Sequence, residues 1–433
     1  MKKLTKTGIA LGMLLGMVGC SSTPVENNTV EFVTEVTEPV SIEFWHSMSG
    51  TMGETIDSLV EDFNNGIGKD KGITVTATYQ GAYDDLKSKV VGAIKAGNNP
   101  TVVQGTVNAI TDFIQSGMVQ PLNEYIFHEE VGIADFDDIY EVYRNENSSY
   151  DSEGTFYSLP ISKSTDLLYY NKTFFEEHDL EVPTTWEEVI EVSKKAYEIT
   201  GKAGLSIDNT PNYFITYLAQ SGAEFTNSNG EVLFNNESAI EALTMLKENM
   251  DKGYWRLAGE DLYSSSPFLS ENIVMYLGSS AGQTFLNDEN FVWDATSYPQ
   301  VDPNAPKYIQ QGNNVAVLNQ NKTSEEVYGA YEFIKYLCSH EANLVYVTNT
   351  AYSPLRESVA TSEEYLAFVE QSGKNSYASA IESTKNGFVE ALFTTPSISS
   401  HIVRNEVGVM IETIVLGGAD IQETLNTYEQ RLK

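Results

Sequence analysis

Residues 40–116 read VSIEFWHSMSGTMGETIDSLVEDFNNGIGKDKGITVTATYQGAYDDLKSKVVGAIKAGNNPTVVQGTVNAITDFIQS, and the apolar positions change period along the way. Val40 to Trp45 is a short strand-like run. Ile56, Leu59, Val60 and Phe63 then recur at helical spacing. Ile73, Val75, Ala77 and Tyr79 alternate with period two, as a half-buried strand does. Leu86, Val90 and Ile94 mark a second helix that stops near Gly97. Thr101 to Gln104 is a further short strand, and a helix follows from about Ala109 to Ser116. The order β-α-β-α-β predicts an α/β fold, a sheet with helices on its faces.

A second series begins near residue 156. Leu167 to Tyr170 reads as a strand, and Thr185 with Glu188 forms a capping box that opens a helix at Trp186. A helix is expected over about Ser238 to Lys252, buried strands at Ile273 to Leu277 and Val315 to Leu318, and a final helix capped by Asp420 and Glu423. Ligands of open α/β sheets bind beyond the carboxyl ends of the strands. Two such units with a cleft between them could close around a solute.

At 433 residues the chain has room for two to three domains of roughly 100–200 residues. Its formal charge is −35, with 26 basic against 61 acidic residues. Nucleic acid is excluded as a partner, because phosphate backbones require neutralising Lys and Arg. Adsorption to anionic lipid through a basic face is excluded for the same reason. An anionic solute would meet a repulsive field and need a local cation. The histidines, at 46, 128, 178, 340 and 401, are scattered, and Asp135, Asp137 and Asp138 lack the Gly and terminal Glu of a calcium loop. No metal or cofactor is expected. Cys338 lies in a helical pattern with Val327, Tyr331, Ile334 and Leu337, and reads as a small buried hydrophobe.

Lys2, Lys3 and Lys6 precede a short apolar run, Gly8 to Val18, with the proportions of a signal peptide. It ends in Met17-Val18-Gly19-Cys20-Ser21, which resembles the lipobox of bacterial lipoproteins. The expectation is a signal peptide over 1–19, lipidation at Cys20 and a polar tether over 20–39. The protein would then be extracytoplasmic, anchored to the cell membrane by Cys20 and not spanning it.

Five segments carry a family resemblance. FWHSMSG (44–50), AGNNP (96–100), STDLLYYNK (164–172), PTTWEEV (183–189) and AYSPLRES (351–358) resemble, in order and spacing, the MalE-like extracellular solute-binding proteins of bacterial ABC importers. Within that group they are most like the glycerol-3-phosphate receptors. The resemblance implies a two-lobed, type II periplasmic-binding-protein fold with a hinge and an interlobe cleft. Lobe 1 would comprise 40–155 and 306–350, and lobe 2 156–305 and 351–433. It implies a monomeric, non-enzymatic receptor that hands a small-molecule solute to two membrane permease subunits and an ATPase.

The resemblance also implies site residues: Tyr83 after the Gly81-Ala82 turn, Ser164, Ser279 or Ser280 with Ser280 favoured, Gly312, Tyr352 and Arg404. An arginine with hydroxyl donors and backbone N–H groups suits a phosphate. The alternative for Arg404 is a structural ion pair with a nearby Glu. The family's glycerol-binding Glu falls at about Val107, and two pocket Trp residues fall near Asp208 and Pro211. Gln104, Asn108, Asp208 and Asn212 could instead bind a different polyol or a sugar, and Asn313 and Asn314 are further polar candidates. The expected solute is therefore a glycerol-3-phosphate-like phosphorylated polyol, with a neutral sugar or oligosaccharide as the alternative. A third reading, a lipoprotein for adhesion or signalling, would lack ligand-induced closure. Gly278-Ser279-Ser280-Ala281-Gly282 also satisfies G-x-S-x-G, and Asp294 or Asp302 with His401 follow in the order a serine hydrolase needs.

Overall fold

The structure is a computed structural model that describes residues 30–286, 289–393 and 398–433. The expected signal peptide and Cys20 lie outside the described residues. The strands are β1 (Val40–His46), β2 (Ile73–Tyr79), β3 (Val102–Thr106), β4 (Leu159–Asn171), β5 (Leu205–Ile207), β6 (Trp255–Leu257), β7 (Met275–Ser279), β8 (Trp293–Ser297), β9 (Tyr308–Val317) and β10 (Gly387–Phe388). They hydrogen-bond in the order β2-β1-β3-β9-β4-β7-β5-β6, with β8 on β4 and β10 on β9.

β1 lies parallel to both β2 and β3. The α/β sheet expected from the opening stretch takes this parallel form because helices Gly50–Asn65 and Tyr83–Ala96 carry the chain back between the strands. Gly97 ends the second of these helices in the left-handed conformation at φ 72°, which its missing side chain permits. In the second unit, the helix Trp186–Thr200 opens with the capping box of Thr185 and Glu188. Trp186 is buried beside Tyr213, Trp255 and Tyr298. The final helix, Ile421–Arg431, is capped by the Asp420 carboxylate accepting from the Glu423 N–H.

Two cores form. One gathers Ile42, Phe44, Phe63, Val75, Val327, Tyr331 and Ile334, and the other Leu168, Trp186, Leu205, Phe214, Leu277, Met410 and Ile414. β4 and β9 serve both. Leu159 and Ile161 pack in the first core and Leu168 in the second; Val315 and Val317 pack in the first and Tyr308 and Ile309 in the second. The lobe boundaries read from the sequence shift accordingly. Residues 156–161 pack with lobe 1, and 308–309 with lobe 2. Tyr352 and Leu355, assigned above to lobe 2, pack in the first core. A strand that crosses between lobes changes its neighbours partway along, and its sequence has no mark at that point.

Among the described residues β4 and β9 pass between the lobes, and the chain passes again between helix Glu363–Ser372, which packs on helix His340–Thr350 of lobe 1, and helix Ser376–Lys385, which packs on β4 and β8. Beside β4, the Ser353 N–H donates to the Lys163 carbonyl at 2.7 Å. Gly312 stands opposite Lys163 in the β4–β9 ladder with φ 121°. A Cβ there would lie 1.9 Å from the Ser162 carbonyl oxygen, so the close approach of the strands requires glycine.

The tether is also shorter than expected. Val30, Phe32, Val33 and Val36 pack against the lobe 1 core, with the Phe32 ring 4.8 Å from Tyr125. The Glu325 carboxylate accepts from the Thr37 N–H at 3.1 Å. Lobe 1 therefore begins by residue 30. The apolar residues of this segment follow no helical or strand period, which is why it read as leash. Cys338 is free and buried; its thiol donates to the Pro160 carbonyl at 3.0 Å, and burial pushes it up to about 12.

Candidate functional site

Between the lobes lies a cavity of about 830 Å³. Lobe 1 contributes the turn Ser47–Ser49 at the start of helix Gly50–Asn65, Tyr83 at the start of its own helix, and Gln104, Thr106 and Asn108 at the carboxyl end of β3. Lobe 2 contributes Asp166 on β4, Asp208 just past β5, Ser279 at the end of β7, and Arg404 on helix Ser400–Val415. In both lobes the lining comes from strand ends and the turns after them, where an open α/β sheet leaves its ligand crevice.

Most residues singled out from the sequence meet here. Tyr83, Ser164, Gly312, Tyr352, Arg404, Gln104, Asn108, Asp208, Asn212 and Asn313 all line the cavity. The Tyr83 and Tyr352 hydroxyls stand 3.4 Å apart, and the Asn313 amide donates to Tyr83 at 3.4 Å. Burial holds the Tyr352 hydroxyl well above the ordinary tyrosine range.

Two expectations are corrected. Ser280 is fully buried behind the wall, where its hydroxyl oxygen accepts from the Thr165 N–H at 3.3 Å; its neighbour Ser279 reaches the cavity. β7 ends at Ser279 and the 3-10 turn Ser280–Phe285 begins at the next residue, so the chain changes direction between the two serines. Asn314 points away because successive residues of β9 face opposite sides, and it donates to Glu146 and Tyr150, both at 3.2 Å. Pro211 is not part of the lining; it packs by Gly408.

Arg404 is already engaged. It donates to the Glu390 carboxylate at 2.9 Å and to the Asn212 side-chain oxygen. Asn212 in turn donates to Asp166 at 2.8 Å, and Gln311 donates to the other Asp166 oxygen at 2.7 Å. Asn108 reaches from lobe 1 to Glu390 at 2.9 Å, so this chain of bonds spans the two lobes. Burial raises the Asp166 carboxyl above its ordinary value. Asp208 is pushed up to about 6, chiefly by burial and further by the negative charge of Asp166, although the Ser264 N–H bond at 2.7 Å opposes this.

Several buried polar atoms of the lining have no partner: the Gln104 Nε2, the Asn108 Oδ1, the Asn313 Oδ1 and the Glu390 Oε2. Gln104 spends its oxygen on the Ser47 N–H at 2.9 Å, and Asn108 spends its amide on Glu390, so the free ends are a donor and an acceptor respectively. Native interiors seldom leave such atoms unmet, and a bound solute would meet them. Asp166, Gln311 and Glu390 escaped the sequence reading, and Ser279 entered it only as the less favoured of two serines. Asp166 sits two residues past Ser164 in a quoted segment, which was the one available signal. Glu390 lies in a stretch without periodicity.

A family profile described as bacterial extracellular solute-binding protein matches residues 58–370. The sn-glycerol-3-phosphate-binding periplasmic protein UgpB of Escherichia coli is 25% identical over 370 residues, covering 82% of this chain and 80% of that one. UgpB from Mycobacterium tuberculosis, solved in complex with glycerophosphocholine, superposes with a TM-score of 0.78 at 19% identity, over 91% of this chain and 97% of that one. The cyclic alpha-maltosyl-1,6-maltose binding protein from Arthrobacter globiformis gives 0.75 at 20% identity, over 91% and 98%.

The two lobes, the three crossings and the polar cleft define a solute-binding receptor, a class of binding proteins and not of enzymes. The chain belongs to the bacterial extracellular solute-binding protein family. Among the described residues no helix is long and apolar enough to cross a membrane.

Proposed function

We propose that this receptor captures a compact, hydroxyl-rich solute without a phosphate group, a polyol or short saccharide, by closing its lobes around it. The observation that carries the reading is the polar inventory of the cleft. Asp84, Glu146, Asp166, Asp208 and Glu390 border it, against Lys87 and Arg404. Both cations are already bound, Lys87 to Asp112 at 2.6 Å and Arg404 to Glu390. Unit charges about 6 Å apart repel by roughly 3 kcal/mol at an effective dielectric near 20, so a phosphate would have to displace Glu390 from Arg404 to be held. Hydroxyl groups, which donate as well as accept, fit the free oxygens of Asn108, Asn313 and Glu390 directly.

The second reading is a glycerol-3-phosphate-like phosphorylated polyol. It rests on Arg404 in the cleft wall and on the relatives named for that solute. Isothermal titration of the full chain, purified in detergent, with glucose, maltose, glycerol and glycerol 3-phosphate separates the two. The expected result is that a neutral compound saturates and glycerol 3-phosphate does not. Binding of glycerol 3-phosphate alone, lost in Arg404→Ala, would establish the second reading instead.

The proposal extends to the cell. The receptor acts as a monomer outside the membrane, held by a lipid on Cys20, and delivers its solute to a pair of permease subunits with a cytoplasmic ATPase. Support for the anchor is the leader and the Met17–Ser21 motif. Cells fed radiolabelled palmitate are expected to label the protein, and Cys20→Ser to lose both label and membrane retention. Equal labelling of Cys20→Ser would remove the anchor from this account.

A further inference from the structure

Resting on the reading of the cleft as the solute site, the charge that remains unanswered there narrows the solute further. Glu146 is answered by Lys163 and Glu390 by Arg404. Among the described residues Asp84, Asp166 and Asp208 have no ion-pair partner. Two of these are neighbours: Asp166 pairs with Ser279 at the end of β7, and the Asp208 carboxylate lies against the adjacent Gly278. The cavity also presents aromatic surface, with the Tyr276 ring and the Asp208 carboxylate both against Gly278 and the Asp208 charge acting on Tyr263. Tyr263 is 64% exposed and Phe285 68% exposed, and Tyr83 and Tyr276 complete the lining there. Aromatic faces together with carboxylates form a site for an organic ammonium, whose charge both attract. The unpartnered oxygens of Asn108, Asn313 and Glu390 remain for hydroxyl groups on the same solute.

We propose that the solute is a hydroxylated organic cation, an amino sugar or a hydroxylated quaternary ammonium compound, with its ammonium group between Asp166 and Asp208 and against Tyr263.

The test is titration at pH 7.5 of the full chain with matched probes: glucosamine against glucose, choline against glycerol, and glycerol 3-phosphate as the anion. At least one cation is expected to bind tenfold or more tighter than its neutral partner, glucosamine indicating an amino sugar and choline a quaternary ammonium compound. Asp208→Asn keeps an oxygen for the Ser264 N–H and is expected to cut cation binding at least tenfold while the circular dichroism spectrum stays unchanged; Asp208→Glu is expected to restore part of it. Equal binding of each charged and neutral pair, tighter binding of glycerol 3-phosphate, undiminished cation binding by Asp208→Asn, or no saturation by either cation up to 10-millimolar scale (about a hundredfold above a weak receptor's Kd of ~0.1 mM) would each overturn the inference. Saturation by glucose or glycerol 3-phosphate in those cases leaves the receptor reading standing. Silence from all five probes and from maltose fells both.

Discussion

Lys163→Met is expected to destabilise the protein by about 3–5 kcal/mol, the usual cost of stripping one partner from a buried ion pair. Lys163 and Glu146 expose 0% and 1% of their side chains. They meet beneath the crossing of β4 and β9, where Glu146 also accepts from Asn314 at 3.2 Å and the Lys163 ammonium lies 5.7 Å from the Tyr143 ring centre. Burial lowers the affinity of Lys163 for its proton, and Glu146 opposes that. With lysine gone, Glu146 keeps a charge that no water reaches. Lys163→Met combined with Glu146→Gln should regain most of the loss, because an uncharged pair of similar volume avoids the desolvation of both ions. Urea denaturation followed by tryptophan fluorescence measures both variants. A single variant within about 1 kcal/mol of wild type, the cost of an ordinary substitution, would mean that the pair does not hold the crossing.

Gly312→Ala should cost a comparable amount, about 3–5 kcal/mol, for a different reason. Backbone held at positive φ costs a residue with a side chain of order 1–3 kcal/mol, and forcing a methyl into a filled space typically another 1–3. The methyl at Gly312 would meet the Ser162 carbonyl at 1.9 Å and the Lys163 Cα at 2.9 Å, both backbone atoms that cannot swing aside. β4 and β9 would have to part where the two lobes join, so solute binding should weaken along with stability. Gly154→Ala is the control. Its φ is 72°, but nothing lies within 4 Å of the added carbon, so it should cost only about 1 kcal/mol. Equal effects of the two substitutions in thermal denaturation would show that the close approach at Gly312 is unimportant.

These two positions differ in how far the sequence reveals them. Gly312 was named from a resemblance, yet its reason, a carbonyl under 2 Å from any added carbon, exists only once β4 and β9 are paired. Lys163 and Glu146 lie 17 residues apart with no motif between them, and nothing local predicts that they meet.

What the sequence determined by itself was whatever depends on neighbours along the chain. The period changes from Val40 to Ser116 established the alternating strands and helices of an α/β unit, the capping box opened the helix at Trp186, and Gly97 closed its helix, because helices and strands are selected within a few residues. The resemblance then placed Tyr83, Tyr352 and Arg404 at one cleft. Only the tertiary structure decided which serine of Ser279-Ser280 faces that cleft, that Val30–Val36 belongs to lobe 1, and that Arg404 is bound to Glu390. Each of these depends on which surface is brought opposite by segments tens or hundreds of residues away. Charge balance in the cleft is the clearest case. Its carboxylates come from Asp84 to Glu390, and their sum exists only when two lobes fold and face each other.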